Sequence, residues 1–207
     1  MNLLTNPIYQ SDIQNASELP ISWSLLSGKT ILFTGATGMI ASVMIDILMY
    51  RNQKLTDKEQ GVHIIAVSRN EEKARQRFDV YWDSEYFTYL SHDITSPLPE
   101  LGTIQYILHA ASNTHPRAYA SDPIGTITAN VQGTYQLLEY ASVHNCSAFS
   151  SFHRWKSMVK IKMMWISLMK NIWDILIVIQ HAPDIQRVSV LASRCAMRMQ
   201  RKKGRIL

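Results

Sequence analysis

Lys29-Thr30-Ile31-Leu32-Phe33-Thr34-Gly35-Ala36-Thr37-Gly38 decides the fold. Its first six residues form a short apolar and β-branched run, the pattern of a strand buried on both faces, and the run stops in a turn marked by two glycines. Beyond the turn, Met39, Ile40, Val43, Met44, Ile47 and Leu48 recur at spacings of one, three and four, which predicts a helix that buries one face. The first turn of a helix carries unpaired N–H groups and a partial positive charge, and glycines let the backbone approach closely. A strand, a glycine turn and a helix in that order therefore suit a bound phosphate.

Gly35 and Gly38 supply the turn and the approach, and Ala41 stands where a third small residue packs helix on strand in the dinucleotide-binding fingerprint. Taken alone, Gly-x-x-Gly also fits a plain structural turn. The pattern repeats downstream. Gly61 to Ser68 reads as a second buried strand, followed by a helix over Arg69 to Arg75 with Asn70 as its cap and acids in its first turn. Phe87 to Leu90 leads into His92-Asp93-Ile94 as a third strand and its exit. Ile104 to Ser112 is a fourth, ending in small residues that admit a ligand, and Ile127 to Ala141 is a further helix with Val131, Tyr135, Leu138 and Ala141 on one side. Strands alternating with helices predict an α/β fold, a Rossmann-type doubly wound parallel sheet with right-handed crossovers. Residues 1–28 read as an amino-terminal extension leading into a domain at 29–147.

At 207 residues, 46% hydrophobic and 18% charged, the composition is that of a globular chain. Two cysteines and no secretory pattern after Met1 exclude a disulfide scaffold and make the cytoplasm the expected location. The longest apolar run, around Ile175 to Ile179, is interrupted by Asp174 and falls far short of the roughly 20 residues of a membrane-spanning helix. No metal-ligand pattern is present.

Five stretches in order carry a resemblance: Thr34 to Ala41, His92-Asp93-Ile94, His109-Ala110-Ala111-Ser112, Asp122-Pro123, and Asn130-Val131-Gln132-Gly133-Thr134. Over residues 29–147 the chain resembles the extended short-chain dehydrogenase/reductase family, specifically its NAD(P)-dependent nucleotide-sugar epimerases and dehydratases. The resemblance implies NAD or NADP as cofactor and a nucleotide sugar as substrate. It implies neither nucleic acid nor membrane as partner, and nothing about oligomeric state. It assigns the pyrophosphate to the loop Gly35, Thr37, Gly38, Met39 and Ile40, the adenine to Asp93 and Ile94, and the wall beside the nicotinamide ribose to Ala110 and Ala111. Asn130 matches an asparagine that buttresses the active site, and Ser151 belongs to a pair resembling the serines at the end of the fifth strand; these two are the only catalytic candidates. Blander readings stand beside them. Asp93 also fits a strand-end turn, Asn130 a helix amide, His109 a packed strand-end histidine and His92 the surface. An acid at the end of the second strand marks NAD enzymes and a nearby Arg marks NADP enzymes; Ser68-Arg69 stands there, so Arg69 joins the cofactor candidates.

The family handles the substrate proton with a Tyr-x-x-x-Lys pair on the helix after the fifth strand, the Lys lowering a phenol pKa that is otherwise near 10. No Tyr follows Tyr140, and the sole match, Tyr50 with Lys54, lies at the end of the first helix of the domain. Cys146-Ser147-Ala148-Phe149 is a poor strand, and Phe152 onwards departs from the family. The charge departs with it. Residues 1–147 hold 14 acidic and 9 Lys or Arg side chains, net −5, whereas residues 148–207 hold 2 and 12, net +10, which together make the chain's +5. Between Lys156 and Gln180 no Gly or Pro punctuates a run of Met, Ile, Leu, Val, Trp and basic residues, and local consistency is lost.

A frameshift predicts such a composition, and the genetic code tests it. Joining the third base of each codon to the first two of the next forces Glu from Trp155-Lys156, Gly from Met158-Val159, Asp from Met163-Met164, Val from Met164-Trp165, Asp from Trp165-Ile166, Glu from Met169-Lys170 and Gly from Trp173-Asp174. Acids and glycines return where the tail has almost none. The intervening codons permit Ser-Val-Glu-Ile-Tyr-Gly across His153 to Val159 and Tyr-Pro-Glu-Gly-Lys across Asp184 to Ser189. Residues 148–207 are therefore expected to be an aberrant basic and apolar tail, and the chain a truncated, inactive form of its family. The alternative is a nucleotide-binding module with a basic amphipathic tail for a membrane surface or nucleic acid, with Lys156, Lys160, Lys162, Arg201, Lys202, Lys203 and Arg205 as contacts.

Overall fold

A computed structural model describes residues 3–112 and 121–151; the expectations for 152–207 lie outside the described residues. The elements run α1 (Pro7–Ser17), β1 (Thr30–Thr34), α2 (Met39–Lys54), β2 (His63–Ser68), α3 (Glu71–Phe78), β3 (Phe87–Ser91), β4 (Tyr106–His109), α4 (Pro123–Val143) and β5 (Ala148–Ser151). The strands lie in the order β3-β2-β1-β4-β5, and every pairing is parallel. This is the α/β, Rossmann-type sheet that the alternation of elements predicts.

Side chains alternate across the sheet and build a core on each face, as a parallel sheet covered on both sides requires. Ile31, Phe33, Ile64, Ala66 and Leu108 pack with Ile45, Leu48 and Met49 of α2 and Ala74 and Phe78 of α3. Leu32, Ile65, Val67 and Ile107 point the other way, onto Leu137, Leu138 and Ala141 of α4. The apolar runs of β1, β2 and β4 are thus continuous because both of their faces are buried.

Four readings need adjustment. β5 does form, although Ala148-Phe149-Ser150 has weak strand propensity: pairing with β4 and burial of all three residues to 3% exposure override it. β4 is shorter than its apolar run, because Ala110 to Ser112 have already left the strand. α4 begins earlier than Ile127, capped by Asp122, whose Oδ1 accepts from the Gly125 N–H at 2.8 Å, with Pro123 at its first position. Met39 leaves the buried stripe of α2 and is 69% exposed.

The amino-terminal segment contains α1, which packs on α2 through buried Ile13. Trp23 lies under the Arg51 guanidinium, 4.1 Å from ring centroid to Cζ, and donates its indole N–H to the Leu19 carbonyl at 3.0 Å. At the centre of this contact Asp46, fully buried on α2, accepts from the Tyr9 hydroxyl at 2.5 Å and from Arg77 of α3, whose Nη1 donates to Oδ1 at 3.3 Å and whose Nη2 makes a second, shorter bond to Oδ2. Burial, with Asp46 next in weight, raises the Tyr9 pKa far above its ordinary value. One carboxylate ties three helices together.

Candidate functional site

In a parallel sheet all strands finish on one edge, and a ligand sits where neighbouring connections diverge to opposite faces. Here that point lies between β1 and β4. β1 leaves through Gly35–Gly38 into α2 on one face, and the chain after β4 returns as α4 on the other. Gly35 has φ +65°, and a Cβ there would stand 2.7 Å from the Ala111 Cα and N. Only glycine lets the turn lie flush on the exit of β4. Ala110 N–H donates to the Thr34 carbonyl at 3.2 Å and Ala36 N–H to the Val67 carbonyl at 3.1 Å, so the turn is anchored to the strands on both sides.

Among the described residues, three of the four α-helices named above begin with a side-chain cap: Asn6 for α1, Asn70 for α3, Asp122 for α4. α2 begins at Gly38 with no side chain on its first N–H groups and no acid in its first turn. Those donors stay available to an anion, and nothing negative opposes one. The arrangement fits a dinucleotide pyrophosphate. Met39 and Ile40 open the helix, Met39 exposed and Ile40 half-buried, where they can cover a bound cofactor. Among the described residues no three His, Cys, Asp or Glu side chains stand together as a metal site.

The remaining candidates fall into two groups. Arg69, exposed, follows directly on β2. Asp93 and Ile94 follow β3, whose exit is tied to β2 by His92 N–H on the Ser68 carbonyl at 3.1 Å. The Asp93 Oδ1 accepts from the Thr95 N–H at 3.0 Å and hydroxyl at 2.9 Å; these bonds, with a smaller pull from Arg69 and His92, hold the carboxyl below its usual range. Asp93 is thus a strand-end turn residue, and its ionised carboxylate is exposed. Ile94 lies against Gly133 of α4, where a Cβ would come within 2.6 Å of its Cδ1. Asn130 is half-buried three residues before Gly133, on the same side of α4. Ser151 ends β5 directly opposite His109, and His109 lies opposite Thr34.

Two histidine expectations resolve. His109 is 3% exposed with Nδ1 2.7 Å from the Thr34 hydroxyl, a packed strand-end histidine. His92 is half-buried, its Nε2 3.2 Å from the Ser96 carbonyl, and is not a free surface side chain. Tyr50 and Lys54 stand near the far end of α2, the Lys54 ammonium 4.3 Å from the Tyr50 ring centroid. Eleven residues of helix, about 16 Å, separate Tyr50 from the start of α2, so this pair serves the fold. The Thr34 hydroxyl went unnoticed in the sequence. It accepts from the Ala111 N–H at 3.4 Å and so links β1 to the exit of β4; a polar residue ending an apolar strand was its only signal.

A parallel sheet with an uncapped glycine turn at its switch point defines a dinucleotide-binding protein of the Rossmann type. Comparison with known proteins narrows this. The model of the NAD dependent epimerase/dehydratase family matches residues 31–153, more than half of the chain, and the chain belongs to that family. By its description the family is NAD-dependent. UDP-glucuronic acid decarboxylase 1 of Danio rerio is 32% identical over 114 residues, 55% of this chain and 24% of that protein. UDP-glucuronic acid decarboxylase 5 of Arabidopsis thaliana is 29% identical over 138 residues, 63% of this chain and 38% of that one. The chain thus spans well under half the length of these relatives. Among solved structures, Pen from Bacillus thuringiensis has a TM-score of 0.49 at 20% identity, over 61% of this chain and 38% of that one. DesIV, a dTDP-glucose 4,6-dehydratase from Streptomyces venezuelae with NAD bound, has a TM-score of 0.48 at 19% identity, over 58% and 38%.

Proposed function

We propose that residues 29–151 are the dinucleotide-binding part of a nucleotide-sugar enzyme and that the 207-residue chain, as written, binds the cofactor without turning over a sugar. The observation that carries the first half is the uncapped glycine turn at the switch point, with Gly35 flush against Ala111. A dinucleotide held there would supply, in a complete enzyme, a reversible hydride acceptor for a sugar carbon. The chain's own residues bind and orient. Gly35, Thr37, Gly38, Met39 and Ile40 hold the pyrophosphate on the first turn of α2. Ionised Asp93 accepts from an adenine amine while Ile94 covers the ring, Ala110 and Ala111 leave room beside the nicotinamide ribose, and Asn130 and Ser151 flank the reacting end. The curated relatives are named for UDP-glucuronic acid, which makes that nucleotide sugar the first substrate to try. No described helix is long and apolar enough to cross a membrane.

The second half rests on chemistry that the sequence lacks. A phenol paired with a lysine handles the substrate proton in this family, and no Tyr follows Tyr140. The test is calorimetric titration of the purified chain with NAD+ and NADP+, beside product analysis after incubation with UDP-glucuronic acid. The expected result is saturable dinucleotide binding and no product. Turnover at the rate of an intact enzyme overturns the inactivity, and failure to bind either dinucleotide overturns the whole reading. The net +10 of residues 148–207 favours one other reading, a tail for anionic surfaces, for which salt-dependent binding of the isolated tail peptide to anionic vesicles or DNA is the signature.

A further inference from the structure

The amino-terminal segment lies outside the residues that the family model matches, yet its polar contacts converge on α2, the helix that carries the uncapped turn. They follow α2 from front to back. Tyr9 at the start of α1 meets Asp46, the Ser17 carbonyl at its end accepts from Arg51, and Glu18 just beyond meets Lys54 at 3.8 Å. Of these the Tyr9 contact stands nearest the glycine turn, about two helical turns behind Met39.

Asp46 also reaches α3. Arg77 stands as far back on that helix, about two turns behind its cap Asn70. α2 and α3 leave adjacent parallel strands, β1 and β2, and cover the same face of the sheet, so their first turns lie side by side at the edge where the dinucleotide is proposed to bind. The backbone of α2 runs close along α1 but does not approach that of α3 as closely. Side chains therefore set the spacing between α2 and α3: Ile45, Leu48, Ala74 and Phe78 pack in one core, and Arg77 bridges to Asp46.

That bridge fixes orientation as well as distance. Arg77 engages both carboxylate oxygens, Nη1 on Oδ1 at 3.3 Å and Nη2 on Oδ2, and a forked guanidinium cannot swing without losing both bonds. Tyr9 closes the triangle, donating to Oδ2 at 2.5 Å and accepting from Arg77 Nη2 at 3.2 Å. Tyr81 beyond α3 belongs to the same cluster, its pKa raised by burial and then by Asp46. The carboxylate is wholly buried and the guanidinium 14% exposed, so little water weakens the pair.

We propose that α1 is a brace for the dinucleotide site: Tyr9, acting through Asp46 and Arg77, fixes the first turn of α2 relative to that of α3, and its hydroxyl strengthens dinucleotide binding without touching the ligand. Tyr9 is thus a positioning residue. The inference rests on the dinucleotide reading above and adds to it a segment outside the matched family region.

The test compares the full-length chain with its Tyr9→Phe and Tyr140→Phe variants by calorimetric titration with NAD+ and NADP+, at a temperature where circular dichroism shows each to be folded. Tyr140 is the control: its hydroxyl, which accepts from the Leu101 N–H at 3.3 Å, belongs to α4 on the opposite face of the sheet. Y9F should bind about three- to thirtyfold more weakly, the range for a residue acting through a coupled network, and Y140F as tightly as the parent. A loss of stability alone moves the two variants alike. The parent supplies a second readout, because coupling is reciprocal: saturation with the dinucleotide it binds should slow amide exchange over α1 by a similar factor and leave the last turn of α4 unchanged. Equal affinity in Y9F and the parent, or equal weakening in Y9F and Y140F, overturns the brace and leaves the dinucleotide reading standing. Exchange over α1 unaltered by the bound dinucleotide overturns it as well, and decides the matter should Y9F not fold. Failure of the parent to bind either dinucleotide overturns both.

Discussion

Gly35 shows how much one residue fixes. Its φ of +65° disfavours any side chain, and a Cβ would overlap the backbone of Ala111 at 2.7 Å. Strain and overlap add, so Gly35→Ala is expected to destabilise the protein by about 1–3 kcal/mol and to push the turn away from β4. Urea denaturation measures the first effect, and weakened dinucleotide binding at temperatures where the variant is folded measures the second. Cys146 makes the opposite case, a reactive group silenced by packing. It is 1% exposed, and burial pushes its thiol up to about 11 from 9.0. The neutral thiol is the folded form, so its contribution to stability is intact below pH 9 and is lost as pH rises towards about 11. In a Cys195→Ser variant, leaving Cys146 as the only thiol, a disulfide reagent at pH 8 should react slowly with the folded protein and rapidly in denaturant. Fast labelling without denaturant would show that the site opens.

Among the elements, α1, α2 and α3 are joined by the Asp46 carboxylate. Removing one partner of a buried ion pair strands the other without compensation, at a cost of about 3–5 kcal/mol. Asp46→Ala should lose stability on that scale by chemical denaturation, and Tyr9→Phe, which removes a single hydroxyl, about 1.5–3 kcal/mol. Unchanged stability in Tyr9→Phe would mean that α1 is not held through Asp46. This clamp was not readable in the sequence. Asp46 interrupts an apolar stripe, which signals something unusual, but its partners lie 37 and 31 residues away and no local pattern names them. α1 carries a local signal: Asn6 before Pro7 is a helix start, and the Asn6 Oδ1 accepts from the Ile8 N–H at 2.9 Å. The strands β1, β2 and β4 were readable because burial on both faces imposes unbroken apolar runs, whereas β3, with Thr88 and Ser91 exposed, shows only Phe87, Tyr89 and Leu90. β5 was not, since Ala148 and Ser150 owe their place to β4. The glycine turn after β1 shows in the sequence because its conformation requires glycine, whereas the joining of Thr34 to His109 and Ala111 depends on register across two strands.

For the molecule as a whole, the question is why a well-specified nucleotide fold leads into residues 148–207 with a charge of +10. Selection for a cofactor domain keeps acids, glycines and periodicity, and these hold through α4 and vanish beyond β5. A base gained or lost between the codons for Ser147 and His153 would account for the change: seven residues that the genetic code forces in the neighbouring frame restore acid, glycine and valine. Sequencing genomic DNA and transcript across these codons should find the frame continuing downstream into a longer enzyme. Restoring it should return a Tyr-x-x-x-Lys near Asp184 to Ser189. An unassisted phenol with a pKa near 10 is ionised at only about one part in a thousand at pH 7, and a positioned acid–base group contributes about 10²- to 10⁴-fold. The restored protein should therefore turn over a nucleotide sugar at least about a hundredfold faster than the 207-residue chain, with dinucleotide affinity little changed because α2 and its turn are common to both. A downstream region without an open frame would remove the explanation and make the basic tail a feature to be explained in its own right.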